Sequence, residues 1–289
     1  MVQIPNDAYV IIIGAMKCGT TSLYNYLINC PEICACKTKE PEFFSEDRLV
    51  HQRNPCIVRR YEELWDFNPK SHRYVLEAST GYTMYPYETS VPGKIHRYGL
   101  RPKFIYLVRN PFDRIRSQHE HVARRSAKFD LSSSLTRDRY LAISSYFLQL
   151  EQYRPFFPKQ SFLILDFDEL KSKPQTCINR VCHFLGLSQA PMLGTYQAFY
   201  RSPSRPEAFV GRHPLLRAVC NFVPRSGRRL GKQVLERVFR KRDFTEEERA
   251  AVLTRLENDM FCFQEEYGFD VSKWGWLQGR KASVSRQIA

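Results

Sequence analysis

The stretch Ala8–Ile13 is apolar throughout and rich in β-branched residues. That is the pattern of a strand buried on both faces in a parallel sheet. The turn Gly14–Gly19 follows, and then the spacing changes. Leu23, Tyr26 and Leu27 recur at i, i+3 and i+4, with Pro31 beyond, which predicts a helix from Thr20 to Asn29. Further apolar runs at Tyr74–Ala78, Phe104–Val108 and Phe162–Leu165 predict strands. Helical spacing predicts helices over Pro111–Arg125, Arg139–Tyr153 and Pro174–Leu185. Strands alternating with helices predict the α/β class, with a mostly parallel central sheet between helical layers. Ligands of such sheets bind at the carboxyl ends of the strands.

The C-terminal part reads differently. Thr245–Tyr267 predicts a helical extension, with Thr245 as cap, early acids, an apolar set of Val252, Leu253, Leu256, Met260 and Phe263, and Gly268 as stop. Trp274 and Trp276 are expected to dock on the body. No repeat or long linker divides the chain, so residues 1–289 read as a single domain that includes the basic segment 201–243 and the helix 245–268.

Composition narrows the partners. The 289 residues are 43% hydrophobic, an ordinary globular value, but carry 44 Lys and Arg against 30 Asp and Glu, a net charge of +14. The segment Arg201–Asp243 holds 12 of those basic residues against 3 acidic ones. An anionic partner is expected: a nucleotide, a nucleic acid, a polyanionic glycan or a membrane surface. The nine cysteines are scattered, and Cys177, Cys182 and Cys262 lie in apolar runs, as reduced core residues do. Cys34 and Cys36 lack a second cluster with which to form a metal site. The N-terminus has neither the charged region of a signal peptide nor an apolar run of membrane-spanning length. A soluble cytoplasmic protein is the expectation, although a trimmed lumenal domain would give the same pattern.

Three stretches carry candidate chemistry. In "GAMKCGTTSL" (Gly14–Leu23) a strand–turn–helix junction offers backbone N–H groups and a helix dipole to an anion. Thr20, Thr21 and Ser22 add hydroxyls. A triphosphate-binding loop places its lysine after the second glycine; here Lys17 precedes Gly19. In "YLVRNPFDRIRSQHEH" (Tyr106–His121), Arg109 ends a strand where the crevice is expected, and Ser117 and His119 lie on the next helix. His119 and His121 are two apart and point to different helix faces, so a metal pair is not expected there. In "KTKEPEFFSED" (Lys37–Asp47), Glu40 precedes Pro41 near Phe43 and Phe44, a setting that suits a general base. Read alone, Arg109 also suits a cap for neighbouring carbonyls, and Glu40 a solvated turn. Tyr82, Tyr85 and Tyr87 suit either an acceptor pocket or aromatic packing.

Together the order G-x-x-K-x-G-T-T-S-L, K-E-P-x-F-F, L-V-R-N-P-x-x-R-x-x-S resembles the sulfotransferases that use 3′-phosphoadenosine 5′-phosphosulfate (PAPS), in particular the heparan sulfate and N-acetylgalactosamine branch and its bacterial relatives. The resemblance covers roughly residues 8–190. It implies a P-loop-like three-layer α/β/α fold and transfer of a sulfuryl group from PAPS to a hydroxyl or amine of a carbohydrate or small metabolite, releasing PAP. It implies Lys17 at the 5′-phosphate and bridging oxygen, with Cys18, Gly19, Thr20, Thr21 and Ser22 as further donors. Arg109 and Ser117 take the 3′-phosphate; for the second 3′-phosphate loop Tyr200–Pro206 and Gly211–Pro214 are both candidates, with Arg201 and Arg205 of the first preferred. Glu40 takes the place of the family's base. Outside the resemblance, by position alone, Tyr82, Tyr85 and His119 are the candidates for contact with the acceptor. The sulfuryl group carries less charge than a phosphoryl group, so no metal is expected. Nucleic-acid partners and stable membrane insertion are not expected; the sequence leaves the oligomeric state open.

The chain departs from the heparan sulfate enzymes at the third strand. There a lysine follows the glutamate, whereas here Glu77 is followed by Ala78 and Lys39 is a candidate replacement. "FLILD" (Phe162–Asp166) is the one candidate for a Mg²⁺-binding strand end, and Asp166 reads as structural. The alternatives are a P-loop-type kinase and a basic nucleic-acid- or membrane-binding module built on residues 201–242.

Overall fold

The computed structural model of the chain describes residues 3–45, 59–125, 133–188, 190–192 and 242–277. Five strands form one sheet: β1 (Tyr9–Gly14), β2 (Ile33–Ala35), β3 (Tyr74–Ala78), β4 (Lys103–Val108) and β5 (Phe162–Asp166), in the order β2-β3-β1-β4-β5. Every pairing is parallel. β1 is buried along its whole length, as its uninterrupted apolar sequence requires. It lies between β3 and β4, so the loop leaving it emerges at the middle of the sheet's carboxyl edge.

The helices that frame the site are α1 (Thr20–Leu27), α2 (Val91–Arg97), α3 (Pro111–Arg125), α4 (Asp138–Ser144), α5 (Tyr146–Glu151), α6 (Phe167–Ser172), α7 (Pro174–Leu185) and α8 (Glu246–Tyr267). α3 and α7 have the bounds that periodicity predicts. α8 begins on a capping box, in which the Thr245 side chain accepts from the Glu248 N–H and the Glu248 side chain accepts from the Thr245 N–H. It ends on left-handed Gly268. Val252, Leu256, Met260 and Phe263 are buried in the same cluster as the sheet residues, while Leu253 is 41% exposed and drops out of the expected apolar face.

The structure corrects the reading in two places. The helix expected over 139–153 is broken at Ser145, whose ψ of 79° ends α4 and starts α5. The Ser144 and Ser145 hydroxyls donate back to the Tyr140 and Leu141 carbonyls, a bonding pattern that weakens a helix. Asp259 on α8 accepts from the Phe147 and Leu148 N–H groups, which caps the new start. The second correction is β2, which the apolar pattern does not reveal because it has only three residues. Cys34 lies in it, and both Cys34 and Cys36 are buried as packing groups.

The C-terminal segment docks as expected. Trp276 is buried and stacks on Phe112 at 5.6 Å, and Lys273 pairs with Asp166 at 2.7 Å. Asp166 also accepts from the Asp168 N–H at the start of α6. Both of its carboxylate oxygens thus hold protein partners.

Candidate active site

The β1–α1 turn is shaped by its two glycines. Gly19 has φ +84°, and a Cβ on it would come within 2.6 Å of the Phe167 ring. A Cβ on Gly14 would meet the Thr83 hydroxyl at 2.2 Å. Only hydrogen fits at either position. Lys17 between them is left-handed, with φ 71°, a conformation that costs a non-glycine residue ~1 kcal/mol or more and clusters at functional sites. The turn is strapped to the neighbouring strand, since the Ala15 N–H donates to the Leu107 carbonyl at 2.7 Å.

The donors of this turn divide into two sets. The Cys18 N–H is spent on the Ala15 carbonyl (3.2 Å) and the Ser22 N–H on the Gly19 carbonyl (3.0 Å). The N–H groups of Gly19, Thr20 and Thr21 have no protein acceptor among the described residues. No side chain caps α1, and its first turn holds no acid. Free N–H groups, a helix start and a lysine make a site for an anion. The Cys18 side chain faces inward and is fully buried; burial pushes its thiol up to about 11, against the pull of Arg114 and Arg109. Cys18 therefore packs as a neutral group and offers a ligand neither its thiol nor its N–H.

Arg109 follows the last residue of β4, the strand beside β1. Its backbone is pinned by Tyr146, whose hydroxyl donates to the Arg109 carbonyl at 2.6 Å and accepts from the Arg109 N–H at 3.3 Å. Its guanidinium lies 4.7 Å over the Phe167 ring and 4.0 Å from Asp113. Ser117 is half-buried one turn beyond Asp113, so the two share one side of α3, and Arg109, just before the helix, reaches that side at Asp113. Arg114, in the same motif, is fully buried on neutral acceptors only: Ser144 Oγ, Gln118 Oε1 and the Tyr140 carbonyl. It joins α3 to α4.

Glu40 is left-handed (φ 56°), half-buried, and 2.5 Å from the ammonium of Lys39. Two residues on, Glu42 is 4% exposed. Its carboxylate accepts from the Gly81 N–H and from the Ser45 hydroxyl, each at 2.9 Å. Burial pushes Glu42 up to about 8 and Glu77 up to about 7. Sequence reasoning passed over Glu42. The available signal was an acid placed directly before Phe43 and Phe44, where a solvated carboxylate is unexpected.

The remaining candidates are dispersed. Tyr82 is 2% exposed, and its hydroxyl accepts from the Phe44 N–H at 3.3 Å. It is a core residue behind Glu42, not a wall facing an opening, because its ring fills the space between Phe44 and the Glu77 cluster. Tyr85 is half-buried, and Gln149 brackets its backbone on both sides. Tyr87 is exposed beneath the Arg139 guanidinium at 4.8 Å. His119 is 1% exposed, edge-on to Tyr140 between α3 and α4. Arg201 and Arg205 lie outside the described residues, as does the basic segment through residue 241. Among the described residues, no helix is long and apolar enough to cross a membrane.

Residues 7–197, about two thirds of the chain, match the family model of the sulfotransferase domain. The chain is 25% identical over 197 residues to the human bifunctional heparan sulfate N-deacetylase/N-sulfotransferase 3, an alignment covering 61% of this chain and 22% of that protein. It is 24% identical over 243 residues to rat carbohydrate sulfotransferase 15, covering 61% of this chain and 43% of the relative. The chain therefore spans between about a fifth and under half the length of these curated relatives. A sulfotransferase crystal structure from Alicyclobacillus acidocaldarius superposes with a TM-score of 0.59 at 22% identity, covering 95% of this chain and all of that one, which shows a shared fold.

Proposed function

The chain belongs to the PAPS-dependent sulfotransferase family, and on that premise we propose that it moves the sulfuryl group of PAPS to a hydroxyl or amine of a carbohydrate or small-metabolite acceptor, releasing PAP. The observation that carries this reading is the adjacency of two anion sites on neighbouring strands. The open N–H groups and Lys17 stand at the end of β1, and Arg109 at the end of β4, joined by the bond from Ala15 to Leu107. A cofactor with a phosphosulfate at one end and a separate phosphate at the other suits two cationic sites so divided. The kinase and basic-module alternatives are not favoured by the family match.

PAPS, when bound, supplies an activated sulfuryl group on a phosphate leaving group. The N–H groups of Gly19, Thr20 and Thr21 and the hydroxyls of Thr20, Thr21 and Ser22 hold its 5′ end. The Lys17 ammonium would stabilise the charge that grows on the bridging oxygen. Arg109 and Ser117 hold the 3′-phosphate, which separates PAPS from ATP; Arg201 and Arg205 remain the choice for a second 3′-phosphate contact. Glu40 accepts the proton from the attacking oxygen or nitrogen of the acceptor. Lys39 keeps the Glu40 carboxylate paired and oriented. Tyr85 and Tyr87, beside Arg139, form the acceptor wall, and His119 supports α3 from within. A cytoplasmic location is part of the proposal; the buried thiols of Cys18, Cys30, Cys177 and Cys182, packed as small apolar groups, support it.

The test is transfer of radiolabelled sulfate from PAPS, in EDTA, to two acceptor pools: glycosaminoglycans and low-mass hydroxylated or amino metabolites. Label in either pool supports the reading and names the acceptor class. Failure to bind PAP overturns it.

A further inference from the structure

Two carboxyl groups, Glu42 two residues from Glu40 and Glu77 on β3, lie buried with no basic side chain in contact among the described residues. Glu42 takes only the Gly81 N–H and the Ser45 hydroxyl. Glu77, fully buried on β3, takes the Tyr61 hydroxyl at 2.5 Å and the Ser79 hydroxyl at 2.9 Å. Ser79 joins the two, because its hydroxyl also accepts from the Glu42 N–H at 3.1 Å. Every donor in this cluster is neutral. Burying two carboxylate charges with no cation costs several kcal/mol per ion, so burial favours the protonated form of each, Glu42 more than Glu77.

The backbone explains why the cluster is placed there. Glu40 and Glu42 are both left-handed, with φ 56° and 50°, and Pro41 between them fixes its own φ. Such a kink persists only where its surroundings over-determine it. Glu42 provides that restraint from both ends, its N–H bound to Ser79 and its carboxyl to Gly81 and Ser45. Gly81 is built for the contact, since a Cβ there would come 2.5 Å from Glu42 Oε2. The same turn carries Thr83, whose hydroxyl donates to the Ile13 carbonyl at 2.7 Å, one residue before the anion loop. A chain of direct contacts therefore runs from Glu42 through the 79–83 turn to the end of β1, two residues from Glu40.

We infer that Glu42, acting as an uncharged carboxyl, is the positioning residue that sets Glu40 against the anion loop. The inference rests on the reading of Glu40 as the base. Glu40 on its own segment and Glu77 from β3 add their charges against the ionisation of Glu42, while Tyr82 and Tyr153, packed behind, stay neutral. With Glu42 raised to about 8 by burial, the clamp holds at neutral pH. Above about pH 8 the carboxyl ionises toward Glu77 and Glu40, draws in water, and releases the kink.

Two measurements on the full-length chain test this. The first is hydrogen–deuterium exchange of residues 37–45, corrected for intrinsic rates, at about pH 6.5 and about pH 9. The wild type should lose protection at the higher pH, whereas Glu42→Gln, which keeps the acceptor for Gly81 without the charge, should stay protected. The second is kcat and KM for PAPS across the same range, with the acceptor pool that takes label. Glu42→Ala should lose kcat by ~10²-fold, as a misplaced base does, with KM within about twofold. Glu42→Gln should restore most of that loss and remove the alkaline decline. Exchange that steps with pH in the wild type, without any sulfate transfer, would sink the reaction while leaving the clamp in place. Identical pH behaviour of the wild type and Glu42→Gln in exchange overturns the inference whatever the reaction, as does a Glu42→Ala variant with normal kcat.

Discussion

Arg109 and Gly19, far apart in sequence, share one ring. The Arg109 guanidinium lies 4.7 Å over Phe167, and an edge of that ring occupies the space that a side chain on Gly19 would need. The first residue of α6 thus packs on the loop from one side and carries the arginine on the other. Phe167→Ala should weaken PAP binding by ~3- to 30-fold, the scale of a lost cation–π contact of ~0.5–2 kcal/mol, measured by titration calorimetry. Gly19→Ala should lose PAP binding more completely, since it strains the backbone and collides with the ring. Normal PAP affinity in both variants would show that Phe167 is passive.

Arg109 should discriminate between nucleotides. Arg109→Ala should weaken PAP by more than ~10-fold, the scale of a hydrogen bond to a charged group. Adenosine 5′-phosphate, which lacks the 3′-phosphate, should lose little. Equal losses for the two ligands would remove Arg109 from the 3′ end.

Lys17 and Glu40 should separate binding from chemistry. Lys17→Ala and Glu40→Gln are both expected to abolish transfer, the latter by ~10²- to 10⁴-fold as expected for a general base. Glu40→Gln should still bind PAP normally, because Glu40 serves the acceptor. Ordinary turnover in Glu40→Gln would show that the proton leaves by another route.

Stability should depend on pH in a stated direction. Glu42 is raised to about 8, and Glu77 and Asp259 to about 7, in each case mainly by burial. A carboxyl raised in the folded state is protonated there while its unfolded counterpart is ionised. The stability it contributes is complete below about pH 4 and is lost as pH rises from there to about 7 or 8. Each such group removes up to ~1.4 kcal/mol per pH unit within its window. Glu32, Asp243, Glu248 and Asp270 are lowered through hydrogen bonds and basic partners, arginines for the first three and Lys273 for Asp270, and their contribution is lost only as pH falls below about 4. Denaturant unfolding should therefore show the folded chain more stable near pH 5 than near pH 8, and Glu77→Gln should flatten the slope. A stability that rises steadily across that range would contradict the buried, cation-free setting of these acids.

Much of the frame was legible in the chain. The β-branched run of β1, the periodicity of α3 and α7, and the Thr245 cap and Gly268 stop of α8 are local signals, set by side-chain period and backbone preference, and they survived folding. So did the strand–turn–helix form of residues 14–19, because the glycines and hydroxyls that make it are contiguous. Other features rest on partners distant in sequence. Ser145 divides a helix because Asp259, 114 positions on, caps the second half. Cys34 belongs to a three-residue strand that exists only because β3 pairs with it. Tyr82 suits a pocket wall or aromatic packing by sequence, and the tertiary structure places it in the core. Glu42 carries no local signal of its role and is buried only because Gly81 and Ser79 come within hydrogen-bonding reach. A side chain's local pattern gives the element it prefers, but its protonation state and its neighbours are fixed only when separate strands bring their ends together.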